Sequence, residues 1–178
     1  MTSETYDPVA KTLHWLMAVL IVGLWLVGLV MEGLPKGDLR AQVFGIHKAF
    51  GVITMALVTL RLAWRMGRGA PSLPATMGRG EQWMAIAAHG ALYALMVLLP
   101  CSGIIMSQSG GRDVAVFGYV IPMVVGKDEG LHEFMEEAHA ILAWALAAIF
   151  VGHVAAALRH HLVLKDAVLR RMLPTLGR

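Results

Sequence analysis

Apolar residues are not spread evenly along this chain; they gather into four long blocks. Residues 13–31 contain no Lys, Arg, Asp or Glu over 19 positions, residues 82–111 none over 30, and residues 138–158 none over 21. A hydrocarbon core about 30 Å thick needs about 20 helical residues to cross it, so each of these blocks predicts a membrane helix. The remaining block is less clean. Residues 49–60 are uncharged between Lys48 and Arg61, and the segment reaches membrane length only when extended from about Ala41 to Trp64. Pro100 and Gly103 break the 82–111 block, which predicts that its helix stops near Ser107. The pattern as a whole predicts an all-α membrane protein. It is a four-helix transmembrane bundle in one domain over residues 1–178, with helices at about 10–31, 41–65, 82–107 and 131–161.

Composition sharpens this reading. Of 178 residues, 57 % are hydrophobic and 15 % charged, and the mean hydropathy is +0.65; ordinary soluble domains have about 45–50 % and about 25 %. A soluble enzyme, a disordered chain and a disulfide scaffold are excluded together, and the surplus apolar surface is expected to face the lipid bilayer. Cys101 is the only cysteine, so no intrachain disulfide forms, and neither a C-x-x-C-H haem attachment nor a multi-cysteine iron–sulfur or zinc set is present. The first apolar block follows Glu4 and Asp7, not a basic region, and is too long for a signal-peptide core; it reads as an uncleaved first helix.

The net charge of +3 does not by itself argue for nucleic acid, but its division across a membrane is informative. The side bearing both termini and the loop between helices two and three carries ten Lys and Arg against four acidic residues; the opposite side carries five against eight. Cations are retained on the cytoplasmic side, so both termini are expected there. The 65–81 linker, with Pro71 and Pro74, is a short cytoplasmic connection. The longer outer segment, 110–130, contains an apolar stretch (114–125) too short to span. It is expected to lie at the interface or to cap the bundle.

Eight histidines are unusual in so apolar a chain, and ionisable side chains inside membrane helices usually mark a site. His139 and His153 are fourteen residues apart on helix four, about 21 Å along the axis and about 3.9 turns, so they share one face. His14 near the inner start of helix one matches His153 in depth. His47 near the outer start of helix two matches His139. The result is an inner pair, His14/His153, and an outer pair, His47/His139, each able to give the two axial ligands of a low-spin haem. Zinc fits less well, because two ligands fall short of its usual three or four. The alternative for any single one of these histidines is a core residue hydrogen-bonded to a neighbour. The same interval places Gly28 fourteen residues after His14, where a porphyrin edge needs a helix without a side chain, and Arg61 fourteen after His47, where a cation can neutralise haem propionates; helix packing is the ordinary role of such a glycine. His89 can approach the inner site or serve packing. His160, seven residues after His153, can line a quinone pocket or carry its proton, or can simply snorkel. His132, among outer glutamates, reads as solvated, and Trp15, Trp64 and Trp83 fit an inner aromatic belt.

These residues resemble the prokaryotic cytochrome b561 family over essentially the whole length. The motifs that carry the resemblance are Leu-His-Trp-Leu at 13–16, Ile-His-Lys-Ala-Phe-Gly at 46–51, His139, Val-Gly-His-Val-Ala-Ala-Ala at 151–157, Arg-His-His at 159–161, Lys165-Asp166 and Arg-Met-Leu-Pro at 171–174. The resemblance implies a bacterial inner-membrane cytochrome holding two haem b noncovalently, with His14, His47, His139 and His153 as axial ligands. It also implies, for the best-understood member type, a superoxide:quinone oxidoreductase that passes electrons from periplasmic superoxide through both haems to ubiquinone. One feature runs against that substrate: the outer side is net acidic, which an anion would avoid, unless Lys36, Arg40, Lys48 and Arg112 form a local basic funnel. The alternative is a haem-bearing membrane-anchor subunit that receives electrons from a dehydrogenase, hydrogenase or periplasmic redox partner and passes them to quinone. A purely structural bundle is left only if no haem binds.

Overall fold

In the computed structural model, which describes residues 5–74 and 77–174, four helices follow one another antiparallel: α1 (Pro8–Met31), α2 (Asp38–Arg68), α3 (Arg79–Ser109) and α4 (Glu129–Arg159). A π-helical turn, His160–Leu164, continues α4, and a two-stranded hairpin, β1 (Ala115–Val116) and β2 (Tyr119–Val120), lies between α3 and α4. All four helices are long and apolar enough to cross a membrane. One end of the bundle carries both termini and the α2–α3 linker, and we call it the terminal end. The other carries the hairpin.

Local chemistry sets the helix limits. Asp7 caps α1, its carboxylate accepting the Ala10 N–H at 3.0 Å, with Pro8 at the first helical position. Helix α2 runs three residues further at each end than the hydropathy pattern indicates. Asp38 at its start and Arg65 and Arg68 in its last turn complement the helix dipole, and Gly69 (φ 75°) closes it in the left-handed region, its N–H bonding the Arg65 carbonyl at 2.9 Å. Helix α3 continues through Pro100 and Gly103 to Ser109, two residues past the expected stop. Proline removes one backbone donor, which a bundle neighbour or a nearby side chain can offset. Asp128 caps α4 at the Leu131 N–H, 2.9 Å.

The packing is that of a membrane protein. Neighbouring helices pack in chain order, most extensively α3 against α4 and α1 against α2, and β1 rests on α2. Between α1 and α4, Trp25 and Trp144 meet edge to face at 5.3 Å. Large apolar side chains such as Val19, Ile141 and Val151 point outward, whereas Gln108, Ser109, Ser107, Ser102 and Thr54 are buried. Without water to satisfy them, these polar groups must bond inside the protein, and they do: Thr54 Oγ1 donates to the Phe50 carbonyl and Ser109 Oγ to Ile105.

The segment between α3 and α4 folds back as a cap. Its fixed point is Gln108, whose amide donates to the Pro122 carbonyl at 3.0 Å and accepts from the Val124 N–H at 2.9 Å. Val114, 1 % exposed, plugs the end of the bundle. The hairpin tip, in contrast, presents Phe117 (φ 49°, 85 % exposed) and Tyr119 outward. At the terminal end, Trp64 Nε1 donates to Asp7, Trp15 Nε1 to the Met172 carbonyl, and the Tyr6 N–H to Arg171. Two indoles of the expected aromatic belt, Trp15 and Trp64, thus fasten the chain ends to the bundle, while Trp83 is largely exposed.

Two predictions follow from these clasps. Gln108→Ala leaves the Pro122 carbonyl and Val124 N–H unpaired, and should cost about 1–3 kcal/mol; amide exchange at Val124 should accelerate while exchange in mid-α4 stays unchanged. Uniform protection across both would mean that Gln108 does not hold the cap. At the other end, burial pushes the Asp166 carboxyl up, but the hydrogen bonds it accepts from His160 and the Val168 N–H outweigh this and hold it below its ordinary value of 3.8. A carboxyl with a depressed folded-state pKa stabilises the fold above its ordinary pKa and loses that contribution as pH falls through the depressed value. Exchange at Val168 should therefore be independent of pH-induced loosening above about pH 4 and show it below; Asp166→Asn should abolish the acid transition.

Candidate functional site: two histidine pairs

The four histidines singled out by depth come together two by two. His14 on α1 and His153 on α4 have ring centroids 6.3 Å apart at the terminal end. His47 on α2 and His139 on α4 are 6.5 Å apart at the hairpin end. Helix α4 serves both pairs because fourteen residues are nearly four whole turns.

The spacing suits a metal between each pair of rings. An imidazole nitrogen binds a transition metal at about 2 Å, and a ring radius of about 1 Å then puts two imidazoles that share one ion about 6 Å apart, centre to centre. Among the described residues no group of three or more His, Cys, Asp or Glu is arranged to hold a bare metal ion. Two imidazoles per level suit an iron whose other ligands belong to a macrocycle. A further observation concerns His47: its Nδ1 is buried and has no hydrogen-bond partner among the described residues. Such an atom costs about 1–3 kcal/mol, so protein hydrogen bonding alone does not account for its placement.

Glycines make the hairpin-end level narrow. A Cβ on Gly28 would lie 3.6 Å from His47 Cε1, in ordinary contact, and one on Gly103 would lie 3.1 Å from His139 Cε1, closer than side chains normally approach. Beside this pair is a cavity of about 540 Å³, within the range of cofactor and ligand sites. His47 and His139 line it together with Lys36, Arg40, Lys48 and Arg112, and among the described residues no carboxylate does. The four cations scattered along the sequence thus gather at one opening. Lys48 Nζ donates to Ser107 Oγ at 3.2 Å and to the Asp113 carbonyl, and Arg40 donates to the Leu34 carbonyl at 3.1 Å while lying over Phe44. The hydrogen-bond partners of Lys48 and Arg40 are neutral, and the Asp113 carboxylate lies near enough to Lys48 to offset part of its charge.

The terminal-end level is more polar. Arg61 reaches in from α2, donating to the Ala10 carbonyl at 2.8 Å and to Tyr93 Oη at 3.1 Å, with Nη2 3.4 Å from His14 Nδ1. It links α1, α2 and α3 at the depth of the histidine pair. His89 joins this level, its ring 5.2 Å from that of His153 and its Nδ1–H donating to the Ala85 carbonyl at 2.6 Å. His160 is buried and bonded through Nδ1 to Asp166. His132, expected in solvent, instead bonds through Nδ1 to the Met106 carbonyl at 2.8 Å and packs against Gly110. There it joins the Gly110 N–H and Ser109 Oγ as a further donor to a carbonyl near the end of α3.

Sequence reasoning passed over Ser102, whose Oγ lies 2.9 Å from His139 Nδ1, and over Tyr93 and Gly103. A signal for Ser102 and Gly103 was present: a small polar residue and a glycine stand just after a proline inside an otherwise apolar helix.

Comparison with known proteins identifies the family. Residues 5–175 match the family described as prokaryotic cytochrome b561. The chain is 30 % identical over 174 residues to cytochrome b561 homolog 2 of Escherichia coli, covering 97 % of this chain and 93 % of that protein. It is 27 % identical over 174 residues to the probable superoxide oxidase CybB of Yersinia pestis, with 96 % and 97 % covered, and 27 % identical over 179 residues to cytochrome b562 of Cereibacter sphaeroides, with 97 % and 98 % covered. With four membrane-length helices, paired intramembrane histidines and a match across nearly its whole length, the chain belongs to the prokaryotic cytochrome b561 family of membrane electron-transfer proteins that bind b-type haem.

Proposed function

We propose that this protein is a two-haem cytochrome of the bacterial inner membrane that oxidises superoxide at its hairpin end and reduces ubiquinone at its terminal end. The observation that carries the reading is the cavity where Lys36, Arg40, Lys48 and Arg112 surround the His47/His139 pair without a carboxylate among its described lining. The net acidity of the outer side therefore does not describe the entrance itself. None of the eight acidic residues of that side is among the described lining, although Asp113 stands beside Lys48, so an anion in the cavity meets cations first.

In this reading His47 and His139 hold the outer haem and His14 and His153 the inner one. Each haem would supply a reversible one-electron iron couple, and the two imidazoles of each pair would hold its iron. The surrounding residues then have separable tasks. Lys48 and Arg112 draw an anion toward the cavity, and Gly28 and Gly103 leave room for the His47 and His139 rings at the outer level. Arg61, anchored by Ala10 and Tyr93, supplies positive charge for propionates at the inner level. The overall reaction balances when two superoxide anions each lose one electron to become dioxygen, and ubiquinone gains two electrons and two protons to become ubiquinol. The buried His160–Asp166 pair is suited to deliver those protons, with His89 beside the inner pair as a further polar neighbour. Orientation follows from the split of charge: the terminal end, with ten cations, lies in the cytoplasm.

A second reading, a membrane anchor that takes electrons from a partner protein, is favoured by one feature. The hairpin beside the cavity exposes Phe117, Tyr119 and Met123, an apolar surface of the kind that docks a partner.

Purified protein should show a b-type reduced-minus-oxidised spectrum with two haems per chain. His139→Ala and His14→Ala should each lower this to one; loss of neither would break the pairing. A pulse of superoxide should reduce the haem rapidly, and added ubiquinone should turn over. Neutralising Lys48 or Arg112 to Gln should slow the bimolecular step by about 2- to 10-fold and flatten its salt dependence. Inertness to superoxide, with reduction by a partner protein, would support the anchor reading instead.

A further inference from the structure

The contact that the proposed function leaves unused is the one behind His139. Ser102 is buried, and its Oγ makes two contacts: it lies 2.8 Å from the Leu99 carbonyl, three residues earlier on α3, and 2.9 Å from His139 Nδ1. A hydroxyl has one proton. A carbonyl can only accept, so that proton goes to Leu99; Ser102 Oγ then accepts from His139, whose ring also hydrogen-bonds toward the Leu99 carbonyl, and both partners ask for a proton on the ring nitrogen. This puts the ring proton of His139 on Nδ1 and leaves the lone pair on Nε2. We infer that Ser102 is a positioning residue that fixes the tautomer and rotation of His139 so that Nε2 faces the outer haem site; the inference rests on the ligand assignment proposed above.

The neighbouring residues of α3 support the same role. Gly103 follows directly, and any side chain there would meet the imidazole at 3.1 Å from Cε1 and 3.4 Å from Nδ1. Ser102 therefore holds the ring from one atom while Gly103 leaves it the space to stand there. Pro100, two residues before, lines the same cavity as Gly103 and His139. The opposite ligand of this pair has no such support, because His47 Nδ1 lacks a hydrogen-bond partner among the described residues. One imidazole of the outer pair is thus pinned by protein and the other is not.

A hydrogen bond accepted from the distal nitrogen of a ligating histidine raises its basicity and fixes its orientation. A more basic ligand favours ferric over ferrous iron, so losing the bond should raise the midpoint potential of that haem. In Ser102→Ala we expect partial loss of the outer haem. The remaining outer haem should show a higher midpoint and a shifted or broadened low-spin ferric EPR signal, with the inner haem unchanged. Ser102→Thr, which keeps the hydroxyl, should restore all three. Gly103→Ala, which crowds the ring without touching the hydroxyl, should disturb the same haem and provides a second route if Ser102→Ala accumulates poorly. If His139→Ala removes the outer haem while Ser102→Ala leaves its midpoint and EPR signal at wild-type values, the ligand assignment stands and the positioning role is wrong. If His139→Ala retains both haems, the assignment fails and takes the positioning role with it.

Discussion

Everything in this protein answers to one constraint: a polar atom carried into hydrocarbon must find its partner within the bundle, because water is absent there. The helices carry many such atoms. Thr54 and Ser109 return their hydroxyls to their own helices, Gln108 spends both ends of its amide on the cap, and Arg61 divides its guanidinium between a carbonyl and Tyr93. With so much satisfied locally, the histidines stand apart. They face one another across helices at two depths, and one of them keeps a buried nitrogen without a partner among the described residues. The fold places imidazoles where packing alone gives no reason for them.

The two levels are built differently. At the hairpin end, small residues and a cationic cavity make an open, charged approach, with the acidic residues kept out of its described lining. At the terminal end, Arg61, Tyr93, His89 and the His160–Asp166 pair make a denser polar network, closed by indoles bonded to Asp7 and Met172. The proposed function makes use of this difference: an anionic donor would be attracted at the first level, and hydrogen-bonded groups would handle the acceptor's protons at the second.

Much of this was legible in the sequence. The four helices follow from uninterrupted apolar length, and the depth pairing of the histidines follows from helical rise, since both are one-dimensional properties. What was not legible arises between helices. Ser102 looks like any small polar residue until α4 brings His139 to it, and Tyr93 has no evident role until Arg61 arrives from α2. The continuation of α3 past Pro100 depends on its neighbours, not on its own propensities. The basic entrance stood between the two: the sequence offered Lys36, Arg40, Lys48 and Arg112 as a local funnel, but they are spread over 77 positions and outnumbered by acids on their own side, and folding is what brings them to one cavity.

Because α4 supplies one histidine to each level, the stretch between them acts as a ruler whose length is fixed. Inserting a single residue between His139 and His153 would turn one ring by about 100° relative to the other and shift it by about 1.5 Å, so that one level or the other would lose its pair. The linker between α2 and α3 carries no such register, and in the hairpin segment, which Lys48 and Gln108 hold at its base, the tip is where length can vary. Divergence in chain length among proteins built on this plan should therefore be confined to the loops, while the fourteen-residue interval on the last helix is held constant.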